Sequence, residues 1–372
     1  MSPPTLAAAA AFAASFAATP VLRDLARRLG WLDRPNERSS HVRPTPRSGG
    51  IGILLGIALA LVLGGALDEW GMRVALAGAL VIAALGLLDD VHGFRAWPKL
   101  ALHVLTGLAA VLVGGITLQA LDLPVAGRLA LGVAGIAASL VWIVWAINCY
   151  NFMDGINGLA AFQAVAAGAA MAVLFARRGD AAGAAAAAGI AGAAAGFLPW
   201  NFPRASAFMG DVGSTTLGFL FAVLALRLSS PGAVAHLDGV QGGAVEGASF
   251  VAAILPLFPF LFDASLTVLV RMWRGEKFFS TPHKLHVYQR LLRLGWTHAR
   301  VTLLFTALAA ACAFAAVSYE RLDDSRRLLV LAAITAVHAA LAVVVIRRTG
   351  EPNGTRAAAA IHPIPSPADR TA

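Results

Sequence analysis

Two aspartates, Asp89 and Asp90, stand side by side in Gly86-Leu-Leu-Asp-Asp-Val-His-Gly-Phe-Arg95, directly after an apolar run. Adjacent carboxylates at such an edge repel one another and lose hydration, so a counter-cation or a proton must compensate. They could bind or orient a divalent metal or act as a base; the plain alternative is a charged helix end. A second segment, Asn148-Cys-Tyr-Asn-Phe-Met-Asp-Gly-Ile-Asn-Gly158, places Asn148, Asn151, Asp154 and Asn157 three residues apart. On a helical turn that spacing lines one face with hard oxygen ligands. Such ligands suit Mg²⁺, with Mn²⁺ as an alternative, and Mg²⁺ often shares its shell with substrate phosphates.

Three further segments add to these. In Phe208-Met-Gly-Asp-Val-Gly-Ser214, glycines flank Asp211 at the mouth of an apolar run. Backbone N–H groups there could face a phosphate while the carboxylate holds a metal. The stretch 33–50 holds Arg38, His41, Arg43 and Arg47 and ends in Gly49-Gly50. It could form part of an anion site, although taken alone it reads as a basic membrane anchor. The segment 271–300 carries His283 and His286 at i, i+3 beside Lys284, Arg290 and Arg293. Zinc lacks a third soft ligand nearby, so phosphate or anionic headgroup binding fits better; a basic amphipathic segment on the membrane surface is the alternative. Asp263 lies inside an apolar stretch, where pairing with an arginine is the plain account.

The elements that position these groups follow from composition. Of 372 residues, 58% are hydrophobic and 13% charged, against about 25% charged in soluble domains. Apolar runs long enough to span a bilayer recur along the whole chain. Eleven candidate spans are expected, near 5–22, 50–67, 74–88, 100–121, 129–147, 159–176, 181–198, 212–226, 250–270, 301–317 and 328–346. The third and eighth are short and should extend into the adjoining motif; the Ala- and Gly-rich sixth and seventh should pack against other helices. The fold class is therefore all-α: a polytopic membrane bundle of 10–11 transmembrane helices with cytoplasmic active-site loops. The first apolar stretch lacks a basic n-region and is read as a retained span rather than a signal peptide. One membrane domain covers 1–349, followed by a disordered tail at 350–372.

Loops between eleven spans alternate in side. One set holds 21 Lys and Arg residues and the other 8, so the positive-inside rule places the first set in the cytoplasm and the N-terminus outside. Every unusual polar cluster falls in that first set. The net charge of +9 is read as orientation in the membrane, with no nucleic acid partner. Cys149 and Cys312 lie in or beside apolar stretches and suggest neither a disulfide framework nor a thiolate metal site.

Acids, bases and glycine-broken turns gathered on one face suit a metal–polyphosphate complex. A site inside a bundle that is open to the bilayer suits a lipid substrate. The five motifs, in order and spacing, resemble the polyprenyl-phosphate N-acetylaminosugar-1-phosphate transferases, over roughly residues 20–300. The wording of Tyr150–Gly158, of Leu198-Pro-Trp-Asn-Phe-Pro203 and of His286-Val-Tyr-Gln-Arg290 looks most like the O-antigen-initiating branch. The resemblance implies that Asn151 and Asp211 hold Mg²⁺. Asp89 and Asp90 would activate or orient the lipid phosphate, with Asp211 completing the catalytic set. Asp154 would position the nucleotide, and Arg47, His283 and His286 would contact phosphates, with Asn148 and Asn157 on the substrate side. The implied partners are a UDP-N-acetylaminosugar, a polyprenyl phosphate and the bacterial inner membrane, with a homodimer left open. The products would be a polyprenyl-diphospho-sugar and UMP. The peptidoglycan member usually carries three histidines in its fifth motif and an Asp at the place of Asn157; this chain departs at both. A secondary transporter of an anionic solute is the competing class, but its site would sit near the bilayer midplane.

Overall fold

A chain surrounded by hydrocarbon must satisfy its backbone hydrogen bonds within each segment, which favours helices. The computed structural model, which describes residues 2–35, 43–230, 249–275 and 285–350, is accordingly almost all helix. In chain order the helices are α1 (Pro3–Leu29), α2 (Gly49–Leu63), α3 (Trp70–His92), α4 (Ala96–Leu112), α5 (Ala134–Phe152), α6 (Leu159–Arg177), α7 (Ala181–Asn201) and α8 (Gly210–Ser229). There follow α9 (Phe250–Ile254), α10 (Phe258–Trp273), α11 (Val287–Arg293), α12 (His298–Tyr319) and α13 (Asp324–Thr349). Among the described residues, nine helical stretches are long and apolar enough to cross a membrane, and α2 and α4 are shorter apolar helices. The chain is thus a multi-pass, all-α membrane protein.

The centre of the bundle is α8, whose residues from Val212 to Leu226 are all buried. It packs against α2, α3 and α5. The weakly hydrophobic α7 is buried along most of its length and lies against α1, α2 and α6. Small residues explain that placement. A Cβ at Gly192 or Gly196 would run into the backbone of α1 at Ala8 or Phe12, so the two helices approach closely enough for van der Waals packing to hold them.

Several span limits differ from those expected. The third span extends to His92 and the eighth begins at Gly210, so both carry their aspartates on the helix. The fourth stops at Leu112 and the fifth begins only at Ala134. Between them, β3 (Ala120–Leu123) pairs antiparallel with β4 (Gly127–Ala130), because Pro124 and Gly127, the latter at φ +74°, turn the chain back on itself. The ninth span is broken into α9 and α10 by a 3₁₀ turn at Leu255–Leu257, where Pro256 and Pro259 interrupt the α-helical ladder. A short pair, β1 (Leu32–Asp33) with β2 (Thr45–Pro46), leads into α2. The expected tail beyond Gly350 lies outside the described residues.

Candidate active site: a carboxylate cluster at four helix ends

The last turn of α3, the first turn of α4, the end of α5 and the start of α8 meet at one end of the bundle. Gly93, at φ +68°, ends α3, leaving Asp89 and Asp90 in its last turn. Carboxylates there oppose the helix dipole, so they need cations. Lys99, on the first turn of α4, supplies one: its Nζ lies 2.7 Å from Asp89 Oδ2 and 3.3 Å from Asp211 Oδ2. Asp89 Oδ1 accepts from the Phe94 backbone N–H at 2.7 Å.

Asp90 has a different role. Its side chain is 3% exposed and lies 3.4 Å from Arg47 Nη1. Its Oδ2 accepts from the Val212 backbone N–H at 3.4 Å, so it caps the first turn of α8 from a neighbouring helix. Gly210, at φ +70°, makes that approach possible, since a Cβ there would collide with the Asp90 carboxylate. Arg47 also pairs with Asp33 at 2.8 Å. Burial disfavours the Arg47 charge, but Asp33 and Asp90 outweigh it and hold the guanidinium above its ordinary pKa.

Backbone pairing fixes Arg47 in place. Phe208 N–H donates to the Pro46 carbonyl at 2.8 Å, Gly49 N–H to the Phe208 carbonyl at 2.9 Å and Gly50 N–H to the Met209 carbonyl at 2.9 Å. The first and fourth motifs, some 160 residues apart in sequence, are therefore laced together. Gly50 permits this contact, because a Cβ there would meet the Gly213 backbone.

Asn151, in the last turn of α5, donates from Nδ2 to Asp211 Oδ1 at 3.0 Å and to Ser214 Oγ at 2.9 Å. Asp154 sits beyond the helix end, half-buried. Burial, then the nearby Asp211 and Asp90 carboxylates, hold its carboxyl well above the usual carboxylate range, against the pull of Arg47. The expected single helical face does not form: α5 ends at Phe152, so Asp154 and Asn157 lie in the following turn. Asn148 donates back to the Val144 carbonyl at 2.7 Å, and Asn157 donates to the Pro203 carbonyl at 3.1 Å. These bonds hold the helix end and the loop; neither reaches the carboxylates.

His286 is the residue before α11 rather than part of a helical face, and it contacts Asp263, which pairs with this histidine instead of the arginine expected. His283, Arg38, His41 and Lys284 lie outside the described residues. The structure thus brings together Arg47, Asp89, Asp90, Asn151 and Asp211, with Asp154 close enough to feel their charges. Sequence reasoning missed Lys99, counted there only as loop charge, although it is a lysine one turn into the helix that follows the acidic pair. It also missed Asp33 as the partner of Arg47 and Ser214 as a partner of Asn151.

Among the described residues, no three His, Cys, Asp or Glu side chains gather as an all-protein metal cage. Magnesium seldom needs one: one or two carboxylates, waters and substrate phosphates suffice. The donors here fit that pattern. Asp211 and Asp89 face a common cation, and with Asn151 Nδ2 engaged twice, Oδ1 is the ligand atom that side chain can offer.

Membrane helices whose ends gather acidic and basic groups suit an enzyme acting on a charged substrate at the bilayer, and the similarities of the chain place it among transferases. Residues 72–229 match the family described as glycosyl transferase family 4. The chain is 33% identical over 328 residues to the decaprenyl-phosphate N-acetylglucosaminephosphotransferase of Mycobacterium tuberculosis (strain ATCC 25618 / H37Rv), covering 83% of this chain and 80% of that protein. It is 27% identical to the probable undecaprenyl-phosphate N-acetylglucosaminyl 1-phosphate transferase of Bacillus subtilis (strain 168), over 77% of this chain and 76% of the relative. It is 29% identical to the undecaprenyl-phosphate alpha-N-acetylglucosaminyl 1-phosphate transferase of Yersinia pestis, over 81% and 80%. The chain belongs to this family of polyprenyl-phosphate aminosugar-phosphate transferases.

Proposed function

We propose that the chain transfers an N-acetylaminosugar-1-phosphate from a UDP-sugar to polyprenyl (undecaprenyl) phosphate at the cytoplasmic face of a bacterial inner membrane. A phosphate oxygen of the lipid attacks the sugar-bearing phosphorus of the nucleotide sugar. The bond from that phosphorus to the bridging oxygen breaks, and the oxygen leaves with UMP. The product, a polyprenyl-diphospho-sugar, would start a cell-envelope glycan; the motif wording points to O-antigen.

One observation carries this reading. Asp89, Asn151 and Asp211, from three helix ends, share one centre through the Lys99 ammonium and the Asn151 amide. Mg²⁺, or Mn²⁺ in its place, would supply charge neutralisation for the diphosphate there, held by Asp211 and Asn151 with Asp89 in support. Arg47 brings a fixed positive charge to the same side. Asp89 is read as orienting rather than as a base. Its oxygens already accept from Phe94 and Lys99, and a phosphate monoester has a second pKa of about 6, so the acceptor is largely dianionic at neutral pH.

The test uses purified full-length protein with polyprenyl phosphate and a panel of UDP-sugars, N-acetylglucosamine first because the relatives' names carry it. UMP and lipid product are measured with Mg²⁺, with Mn²⁺ and with EDTA. Asp211→Asn should lower turnover by at least about 10²–10³-fold, the scale of losing one preorganised electrostatic group, in protein that remains folded and membrane-inserted. Near-normal turnover of that variant with Mg²⁺ would refute the metal assignment.

A further inference from the structure

A second buried polar centre lies beside the carboxylate cluster. Asp263, on α10, and His286, at the entry to α11, are each 2% exposed. Asp263 Oδ1 lies 3.2 Å from His286 Nδ1 and accepts from the Val287 backbone N–H at 2.9 Å, while Oδ2 accepts from the Tyr288 N–H at 3.1 Å. Thr267, one turn along α10, reaches Oδ1 at 3.4 Å. A carboxylate this deep is costly unless donors fill its lone pairs. Three of these donors come from the strip 286–288.

That strip is anchored on both sides. Arg290 Nε donates to the Leu285 carbonyl at 3.0 Å, and its Nη1 donates to Thr349 Oγ1 at 2.9 Å. Tyr288 Oη donates to the Phe152 carbonyl at 3.2 Å. The Tyr288 ring also fills the space that a Cβ on Gly155 would need, in the loop that carries Asp154. The His286 ring centroid is 6.2 Å from that of Phe152 and 5.7 Å from that of Tyr288. The imidazole is thus set against the end of α5, the same helix end that presents Asn151 to Asp211.

Anchoring α11 does not by itself require a charge. Two backbone N–H groups can be capped by a neutral Asn or Ser. What a carboxylate adds is an acceptor-only partner for the imidazole, so that Nδ1 carries the proton and the ring orientation is fixed. It also balances the ring when Nε2 is protonated too, which is the form that donates to a phosphate.

We propose that Asp263 is a positioning residue: it holds His286 through Nδ1–H so that Nε2 serves a substrate phosphate as part of a charge-balanced pair. The inference rests on the transferase reading above. The phosphate belongs to the nucleotide sugar or to the lipid, and the KM measured for each substrate separates the two.

The experiment is a double-mutant cycle on full-length protein in nanodiscs, with UDP-N-acetylglucosamine and undecaprenyl phosphate as probes and UMP release as readout. Asp263→Asn should keep the thermal midpoint within a few degrees while activity falls about 10–100-fold, the scale on which a metal-bound histidine responds to losing its carboxylate partner. His286→Ala should fall at least as far. The double variant should match His286→Ala within about twofold, because the carboxylate acts only through the ring. Asp263→Glu, which restores the charge, should recover part of the activity.

Normal activity of Asp263→Asn or of His286→Ala overturns the proposal, and so do losses that multiply in the double variant. If neither Asp263→Asn nor Asp263→Glu yields folded protein, the carboxylate is a structural cap and the proposal falls. A wild type that releases no UMP from any nucleotide sugar sinks the transferase reading, and this proposal with it. An active wild type with independent losses sinks the proposal alone.

Discussion

Lys99 Nζ lies 2.7 Å from Asp89 Oδ2, across the turn that joins α3 to α4, and the same ammonium reaches Asp211 on α8 at 3.3 Å. One cation thus ties together two carboxylates that approach from separate helices. Replacing it with a neutral chain of similar length, Lys99→Met, leaves both acids without that counter-charge. Turnover should drop by about 10²-fold or more, with a smaller change in the thermal midpoint, because the groups are partly open to solvent. Lys99→Arg should recover little, since a planar guanidinium does not replace a compact ammonium between two carboxylates. Steady-state UMP release for the three proteins checks this.

Gly210 lies against Asp90 with φ +70°. Gly210→Ala adds both a strained backbone and a Cβ that collides with the Asp90 carboxylate. The expected cost is about 1–3 kcal/mol of stability, together with loss of activity as Asp90 leaves the first turn of α8. A thermal-shift series with paired activity assays reads both. A variant as stable and active as wild type would mean that the start of α8 is not held by Asp90.

Asp154 titrates above the usual carboxylate range because burial and the neighbouring Asp211 and Asp90 disfavour its charge. The sign of the linkage follows. The folded state holds this proton more tightly than the unfolded one, whose value is about 3.9. The stabilising contribution is therefore complete below that value and is lost as pH rises toward the folded-state pKa. Asp154→Asn removes the titrating group. Denaturation midpoints measured from about pH 4 to 8 should fall less steeply with rising pH in the variant than in the wild type.

Arg227, at the far end of α8 from Asp211, pairs with Asp180 at 2.8 Å and Glu69 at 2.6 Å, with side-chain exposures of 10%, 5% and 33%. It ties the ends of α7, α8 and α3 together. Arg227→Met leaves a buried Asp180 unpaired and should cost about 3–5 kcal/mol. Protein that survives this loss should keep its KM values, because the carboxylate cluster lies at the other end of the helix. A large KM change with unaltered stability would contradict this division.

The chain itself determined the architecture. In lipid, an uninterrupted apolar run of about 20 residues satisfies its own backbone hydrogen bonds as a helix, and so the number and order of the apolar helices were legible. The motifs at 44–50, 86–95, 148–158 and 208–214 were legible too, because polar residues between apolar runs stand out against their surroundings. The limits of α4 and α5 were not: the apolar residues of β3 and β4 look like helix to a hydropathy count, and only the turn at Pro124–Gly127 separates them.

Partnership was decided by the tertiary structure alone. Lys99 looked like ordinary loop charge, and Asp263 looked like a candidate for an arginine. Their actual partners are contributed by other helices: Asp211 on α8 for the first, His286 beside α11 for the second. Spacing along a helix predicts neighbours three or four residues apart. It carries no information on which carboxylate a side chain meets after the helices pack, because that depends on where small residues such as Gly50 and Gly210 let backbones and side chains come close. The sequence therefore supplied the acids, bases and small residues, and the packing of α3, α4, α5 and α8 turned them into one centre.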